Sequence, residues 1–559
     1  MKQILKLKEF IITHPNFFTF IGLGIIFYLI FFHNIGNYAL MDVDESRYVL
    51  MAKDMFNTKD FFTLYLNNEY FFEKPPLYFW GECLSFAIFG KINEFTARFP
   101  VALYGTLCCY VIYFIGKKVV SRLYGVIASL ILATSLEFLI LAKFAILDIV
   151  VSTCIGFSLC FGLIVYFCRE NHKKYYWWLF YAFSALAVMA KGIPGFVVPF
   201  GSMFFVAIVA KKFKELFKPI YFIPGTLIFL LIVLPWHIAM FKTYNPLFWD
   251  EYIVKHHLAR FAGGEIIHRD EPFYFYIVTL LWGFFPWVIS CLAVGIKNLI
   301  QIIKNKTFTF KYEELNKPQQ FMLYNTIVIL FTLLFFSSSG TKLITYILPM
   351  YGALACIGAY VWKDYIENKN NVSLINKTNY FLGGLFLFTS LAGILTPLYL
   401  PQQLYQDIST VKTFCVVSTF AVGLAIILFT RKKIYAGVFA SLVIFMSIFS
   451  AHATEKFFEI DYKFGQDDLI KYAKIADEHH KSLTTFDFGQ KYSLIFYGNE
   501  PVIFYPDPIL ENMPEDFQNK LKVEDNYLII RIKDLKNIGI IKYNILEDGR
   551  KYLLVDEVK

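Results

Sequence analysis

Five polar clusters interrupt an otherwise apolar chain, and their side chains suit acid–base and phosphate chemistry. Met41-Asp42-Val43-Asp44-Glu45-Ser46-Arg47-Tyr48 places three carboxylates close together. Phe71-Phe72-Glu73-Lys74-Pro75-Pro76 sets a lysine beside an acid, and its two prolines enforce an extended approach. A lysine held so can bind a phosphate as a point charge. Lys143 and Asp148 flank a short turn. Lys255-His256-His257-Leu258-Ala259-Arg260-Phe261 and His268-Arg269-Asp270-Glu271-Pro272 supply cations for an anionic lipid head. In Ser337–Pro349, Lys342 and Tyr346 are spaced i,i+4, which on an α-helix gives one face able to grip a phosphate.

Each cluster also has a plainer reading. Asp42 or Asp44 can cap a helix running to about Phe56. Lys74 can snorkel at the membrane interface, Asp148 can be a solvated anchor at a span end, and interfacial Lys and Tyr are common anchors. Adjacent histidines point different ways on an α-helix, and nothing matches a zinc spacing, so no metal site is assigned. No nucleotide fingerprint is visible and no cofactor is implied.

The elements that must position these residues follow from composition. Of 559 residues, 57% are hydrophobic, 19% aromatic and 17% charged. A soluble domain carries about 25% charged residues, and a single core stops growing at about 250–300 residues. Disordered chains are poor in apolar residues, so disorder is excluded too. The nine cysteines form no CxxC pair and read as small buried hydrophobes. A polytopic α-helical membrane protein remains. The formal charge of +9 is then a topology signal, and no nucleic-acid partner is expected.

Apolar runs predict about 13 transmembrane helices: 17–38, 101–116, 124–140, 149–168, 175–189, 193–210, 219–241, 273–296, 321–336, 343–362, 380–396, 413–430 and 434–450. The run 76–90 is short and interrupted by Glu82. With it lying in the interface, seven loops on one side hold 24 Lys or Arg in 74 residues, against 14 in 122 on the other. That bias places the N-terminus in the cytosol. The five clusters and the C-terminal tail then fall outside it. Residues 1–450 are read as the transmembrane domain, with outer loops 41–99 and 242–271. Residues 451–559 are read as a small extracytoplasmic α/β domain. Its helix is expected at 466–479, and its strand-like runs are 493–497, 501–505, 527–532 and 552–555.

An ordered set of motifs carries a resemblance. Asp44-Glu45-Ser46-Arg47-Tyr48, Phe72-Glu73-Lys74-Pro75-Pro76, Ala97-Arg98-Phe99-Pro100, Ala190-Lys191-Gly192, Pro235-Trp236, His257-Leu258-Ala259-Arg260-Phe261 and Lys342–Pro349 resemble the bacterial lipid A aminoarabinose transferase family. These are GT-C-fold glycosyltransferases that use polyprenyl-phosphate sugars and are related to protein O-mannosyltransferases. The resemblance runs from about residue 40 to 350. Phe71 stands where members often carry Tyr, and the stretch 268–272 is one residue longer than usual.

The resemblance implies a sugar donor on undecaprenyl phosphate and a lipid A acceptor at the periplasmic face of the inner membrane. It implies catalytic roles for Asp44 and Asp148, and donor-phosphate contacts from Lys74, Arg260, Lys342 and Tyr346. Glu45, Arg47, Tyr48, Glu73, His257 and Arg269 are expected to position the acceptor or the sugar. The expected reaction is direct displacement with inversion. Two alternatives stand beside it: transfer to a protein or another glycan, and lipid or sugar transport. Transporters place ionisable groups near the bilayer midplane, whereas these gather at one interface.

Overall fold

The computed structural model describes residues 14–260, 271–305, 312–398, 402–461, 466–486, 489–505, 526–533 and 543–558. The chain divides into two compact units that do not follow chain order. One contains Met1–His33, Phe71–Tyr78 and Phe99–Ala453; the other contains Asn34–Tyr70, Phe79–Arg98 and Thr454–Lys559. Most of residues 41–99 therefore group with the tail, a division that differs from the 450/451 boundary read from composition.

The first unit is helical because its apolar runs have no water to satisfy the backbone, and a helix pairs every N–H and C=O internally. Eight helices among the described residues are long and apolar enough to cross a membrane. They are Pro15–Phe32, Glu94–Val119, Pro219–Tyr244, Lys317–Ser337, Ile344–Ile366, Val372–Leu395, Val411–Arg431 and Tyr435–His452, and each matches one expected span. Three more expected spans are the helices Asp148–Ile164, Lys173–Lys191 and Pro194–Val209. Helix Leu77–Phe89, the ambiguous run, has 13 residues and so rises only about 20 Å, less than the hydrocarbon thickness.

Two expected spans are broken. The run 124–140 forms Arg122–Ala133 and Leu136–Leu141. At the break, Thr134 Oγ1 and Ser135 Oγ donate back to the carbonyls of Leu130 and Ile131 (2.5 and 2.7 Å), and the indole of Trp287 donates to Thr134 Oγ1 at 3.2 Å. The run 273–296 is split into Phe275–Gly283 and Val288–Asn305 around Pro286, which has no N–H to give. The stretch from Ile344 opens as a 3-10 helix to Met350, with Leu343 extended before it, and only then becomes α-helical. Lys342 and Tyr346 therefore do not share an α-helical face. Pro349, inside the 3-10 segment, cannot donate the bond an α-turn would need.

The second unit holds helix Asp44–Thr58 and a hairpin, β1 (Tyr65–Leu66) and β2 (Glu69–Tyr70). Asn67 and Asn68 both have positive φ (52° and 64°), the twist a two-residue hairpin turn requires. Its sheet contains β3 (Leu483–Phe486), β4 (Val502–Tyr505), β5 (Tyr527–Arg531), β6 (Tyr543–Asp548) and β7 (Tyr552–Val558), in the order β4-β3-β5-β7-β6. β3 pairs parallel with β4 and β5, while β5–β7 and β7–β6 are antiparallel. Helix Asp467–His479 presents Leu469, Tyr472, Ala473 and Ala476 at helical spacing to Leu483, Val502, Ile529 and Leu554. The run Ser493–Tyr497, expected as a strand, is a five-residue helix. Leu494 anchors it in this core.

Candidate active site

A cavity of about 490 Å³ opens within the first unit, a size typical of ligand pockets. Its lining is of two kinds. Charged and polar residues include Glu73, Lys74, Asp148, Lys191, His256, His257 and Arg260; the rest is apolar, including Val151, Ile155, Val197, Phe335 and Phe336. Helix Asp148–Ile164 explains how both meet in one space. Asp148 is its first residue, and Val151, Ser152 and Ile155 follow at i+3, i+4 and i+7 on the same face. The wall thus passes from carboxylate to hydrocarbon over about 10 Å of helix.

Lys74 is held where the Pro75-Pro76 pair makes the backbone extended. Its ammonium donates to the Glu73 carbonyl at 3.2 Å and lies 3.6 Å from Glu73 Oε2. Lys191 ends helix Lys173–Lys191, where a cation complements the helix dipole. Its Nζ pairs with the Asp148 carboxylate and lies 5.0 Å from the centre of the Tyr346 ring. Arg260 follows a π-helix, Trp249–Ala259, and among the described residues its buried Nε has no hydrogen-bond partner.

The same π-helix carries His256 and His257. Both line the cavity, contrary to the expectation for adjacent histidines on an α-helix. A π-turn bonds i to i+5, so successive side chains diverge less around the axis. His257 Nδ1 lies 2.6 Å from the carbonyl of Tyr252. A carbonyl only accepts, so this nitrogen carries the proton and Nε2 keeps a lone pair. Burial first, then nearby Lys74 and His256, push the His257 pKa down to about 4, against the backbone bond, and the ring is neutral. Gly192, at φ +81°, leaves room for that ring, since a Cβ there would collide with Nε2. Burial also lowers the His256 pKa, although Glu73 and Glu251 stand 3.8 and 3.5 Å from its Nε2.

Of the residues expected to act, the cavity brings together Glu73, Lys74, Asp148, His257, Arg260 and Tyr346. Lys342 is not part of the lining. It is 8% exposed, and its ammonium donates at 2.9 Å to the carbonyl of Ser339, which is. Arg269 lies outside the described residues. Lys191 received no role from sequence, although it belongs to one of the matched motifs, and His256 was read only as part of its cationic stretch. Among the described residues, no group of three or more His, Cys, Asp or Glu is placed to hold a metal ion.

Asp44, Glu45, Arg47 and Tyr48 belong to the second unit. Asp44 is in the first turn of helix Asp44–Thr58, with 69% of its side chain exposed, and pairs with Arg47 at 2.7 Å. The Arg47 guanidinium also sits 5.0 Å from the centre of the Tyr48 ring. Tyr48 is buried and packs edge-on against Phe79. Glu45 departs from its expected role. It is fully buried, and both its oxygens are taken by Arg98, from Nε at 2.6 Å and Nη2 at 2.7 Å. Arg98 further donates to the carbonyls of Ile35, Tyr38 and Ala39. This ion pair braces the loop and leaves Glu45 nothing to offer a substrate.

The family model described as dolichyl-phosphate-mannose-protein mannosyltransferase matches residues 16–251. An uncharacterized protein of Aquifex aeolicus (strain VF5) is 30% identical over 65% of this chain and 67% of its own length. The undecaprenyl phosphate-alpha-4-amino-4-deoxy-L-arabinose arabinosyl transferase of Enterobacter sp. (strain 638) is 29% identical over 57% of this chain and 55% of its own. The chain thus spans between about half and two thirds of these relatives. The crystal structure of ArnT from Cupriavidus metallidurans bound to undecaprenyl phosphate superposes with a TM-score of 0.77, at 18% identity, over 96% of this chain and 97% of that one. An Archaeoglobus fulgidus oligosaccharyltransferase gives 0.55 at 12% identity, over 94% of this chain and 70% of that one. The fold is therefore GT-C, that of a multi-pass membrane protein, and the chain belongs to one family with the Aquifex aeolicus protein.

Proposed function

We propose that this enzyme moves an amino sugar from undecaprenyl phosphate to lipid A at the periplasmic face of the bacterial inner membrane. One observation carries the reading: a single cavity joins the cations Lys74, Lys191 and Arg260 to an apolar wall that follows helix Asp148–Ile164. An isoprenyl phosphate has that same division between anionic head and hydrocarbon chain. The arabinosyl transferase of Enterobacter and the undecaprenyl phosphate bound to Cupriavidus ArnT support the same donor.

In this reading the acceptor oxygen attacks the sugar's anomeric carbon as the bond to the phosphate oxygen breaks. The transition state is oxocarbenium-like, and attack from the far face inverts the configuration. Charge builds on the leaving phosphate, where Lys74 and Arg260 stabilise it in a site partly shielded from water. Lys191, already paired with Asp148, fixes the carboxylate that faces the sugar. The neutral His257 presents an acceptor lone pair, suited to a hydroxyl or ammonium on the sugar. Asp44, largely exposed, serves the acceptor. If the acceptor is an ionised phosphate, Asp44 acts electrostatically; if a hydroxyl, it is the general base.

Mass spectrometry of lipid A from cells with and without the gene tests the proposal. An aminopentose-sized mass difference is expected. A second reading, transfer to protein, has the protein mannosyltransferase family match in its favour. Unchanged lipid A with altered glycoprotein masses would replace the first reading with the second.

A further inference from the structure

The tail's sheet domain has so far no part in the chemistry. Within the second unit, its short helix Ser493–Tyr497 is bonded to the segment that carries Asp44. Asp42, two residues before Asp44, accepts from the Ser493 backbone N–H at 3.0 Å and from the Ser493 hydroxyl. The Ser46 hydroxyl, on the helix that Asp44 opens, also donates to Asp42. At the far end of the short helix, the Tyr497 hydroxyl accepts from the Leu40 N–H and donates to Glu94 Oε1, both at 2.8 Å. Lys53, further along the Asp44 helix, donates to the Phe496 carbonyl at 3.3 Å. The Gln466 amide, at the start of the tail's long helix, donates to the Leu40 carbonyl.

Ser493, Tyr497 and Gln466 reach Leu40 and Asp42 from more than 420 residues away along the chain. They are not surface decoration: Ser46 and Ser493 are fully buried, and Leu494 is locked into the core of the sheet domain. Asp44 is thus an exposed carboxylate on a backbone held by the tail. Exposed acids at helix starts need no such support for stability alone, since a single capping contact is worth about 1 kcal/mol. Reactions that depend on placement do need it, because an error of about 1 Å can cost about 100-fold in rate.

We infer that helix Ser493–Tyr497 is a positioning element for Asp44, so that the tail domain sets the geometry of the first outer loop for turnover. The inference rests on the proposed function, in which Asp44 meets the acceptor.

The test uses the full-length enzyme with Ser493→Ala, Tyr497→Phe, their double variant and Ser493→Thr, beside Asp44→Asn. Readouts are kcat, the donor KM with undecaprenyl-phosphate aminoarabinose, calorimetric binding of undecaprenyl phosphate, and thermal melting. The double variant should lose about 10- to 100-fold in kcat with donor KM and undecaprenyl phosphate binding unchanged. Ser493→Thr, which keeps the hydroxyl, should recover much of that loss. Full activity of the double variant beside an inactive Asp44→Asn would overturn the inference and leave the proposed function standing. Loss of kcat, donor binding and melting temperature together would also overturn it, in favour of a merely structural contact. A fully active Asp44→Asn would overturn the inference and remove Asp44 from the proposed mechanism, while leaving the sugar transfer itself standing.

Discussion

Asp148 and Lys191 form an ion pair inside the cavity, with 14% and 15% of their side chains exposed. Neither is well solvated, so each depends on the other. Lys191→Met leaves a carboxylate unpaired at the head of helix Asp148–Ile164. Stability should fall by about 3 kcal/mol, the lower end for a broken buried pair because the cavity admits some solvent. The double variant Lys191→Met/Asp148→Asn should melt above Lys191→Met while remaining inactive. Differential scanning calorimetry and a turnover assay separate the two effects.

The proposed phosphate contacts should rank by their geometry. Lys74 and Arg260 face the cavity, whereas Lys342 is engaged with the Ser339 carbonyl. Lys74→Met or Arg260→Met should each lower kcat/KM by about 10²–10³, the cost of removing one charge-stabilising donor. Lys342→Met should cost less. Equal losses for all three, measured with one donor preparation, would show that Lys342 reaches the phosphate during turnover.

The His257 imidazole gives a pH signature. Its pKa is lowered from 6.5 to about 4 by burial, so the unfolded chain takes up the proton first as pH falls. Its contribution is fully present above about pH 6.5 and is lost as pH drops toward 4, by up to about 3 kcal/mol. His257→Gln, which cannot titrate, should flatten the fall in melting temperature across that window. A wild-type melting curve that does not change between pH 6.5 and 4 would count against the neutral buried ring.

The Glu45–Arg98 pair should behave as structure and not as chemistry. Glu45→Gln leaves a buried guanidinium short of its counter-charge, and about 3–5 kcal/mol of stability should go with it. Activity per folded molecule, measured below the new melting point, should remain within a few-fold of wild type. A stable but inactive Glu45→Gln would return Glu45 to the acceptor site.

What the sequence revealed divides along physical lines. Apolar run length is set by bilayer thickness, so most spans were legible, and the runs that broke did so at Thr134-Ser135 and Pro286. Local chemistry was legible where one segment supplies it, as with Glu73-Lys74-Pro75-Pro76. It was not legible where the partner is distant. Asp44 and Glu45 are adjacent and alike, and only Arg98, 53 residues on, tells the exposed acid from the buried one. Lys191 gains its meaning from Asp148 and Tyr346, which no spacing rule connects. Ser493–Tyr497 is too short for its apolar pattern to distinguish strand from helix.

The shared membership of the first loop and the tail in one compact unit bears on biosynthesis. In a nascent chain residues 34–98 are made long before Thr454–Lys559. Through that interval Asp42 lacks Ser493, and Leu40 lacks both Tyr497 and Gln466. Residues 40–46 gain these partners only once residues 466–497 have been made, so a product terminated before them can insert its helices and still lack the contacts that hold this segment.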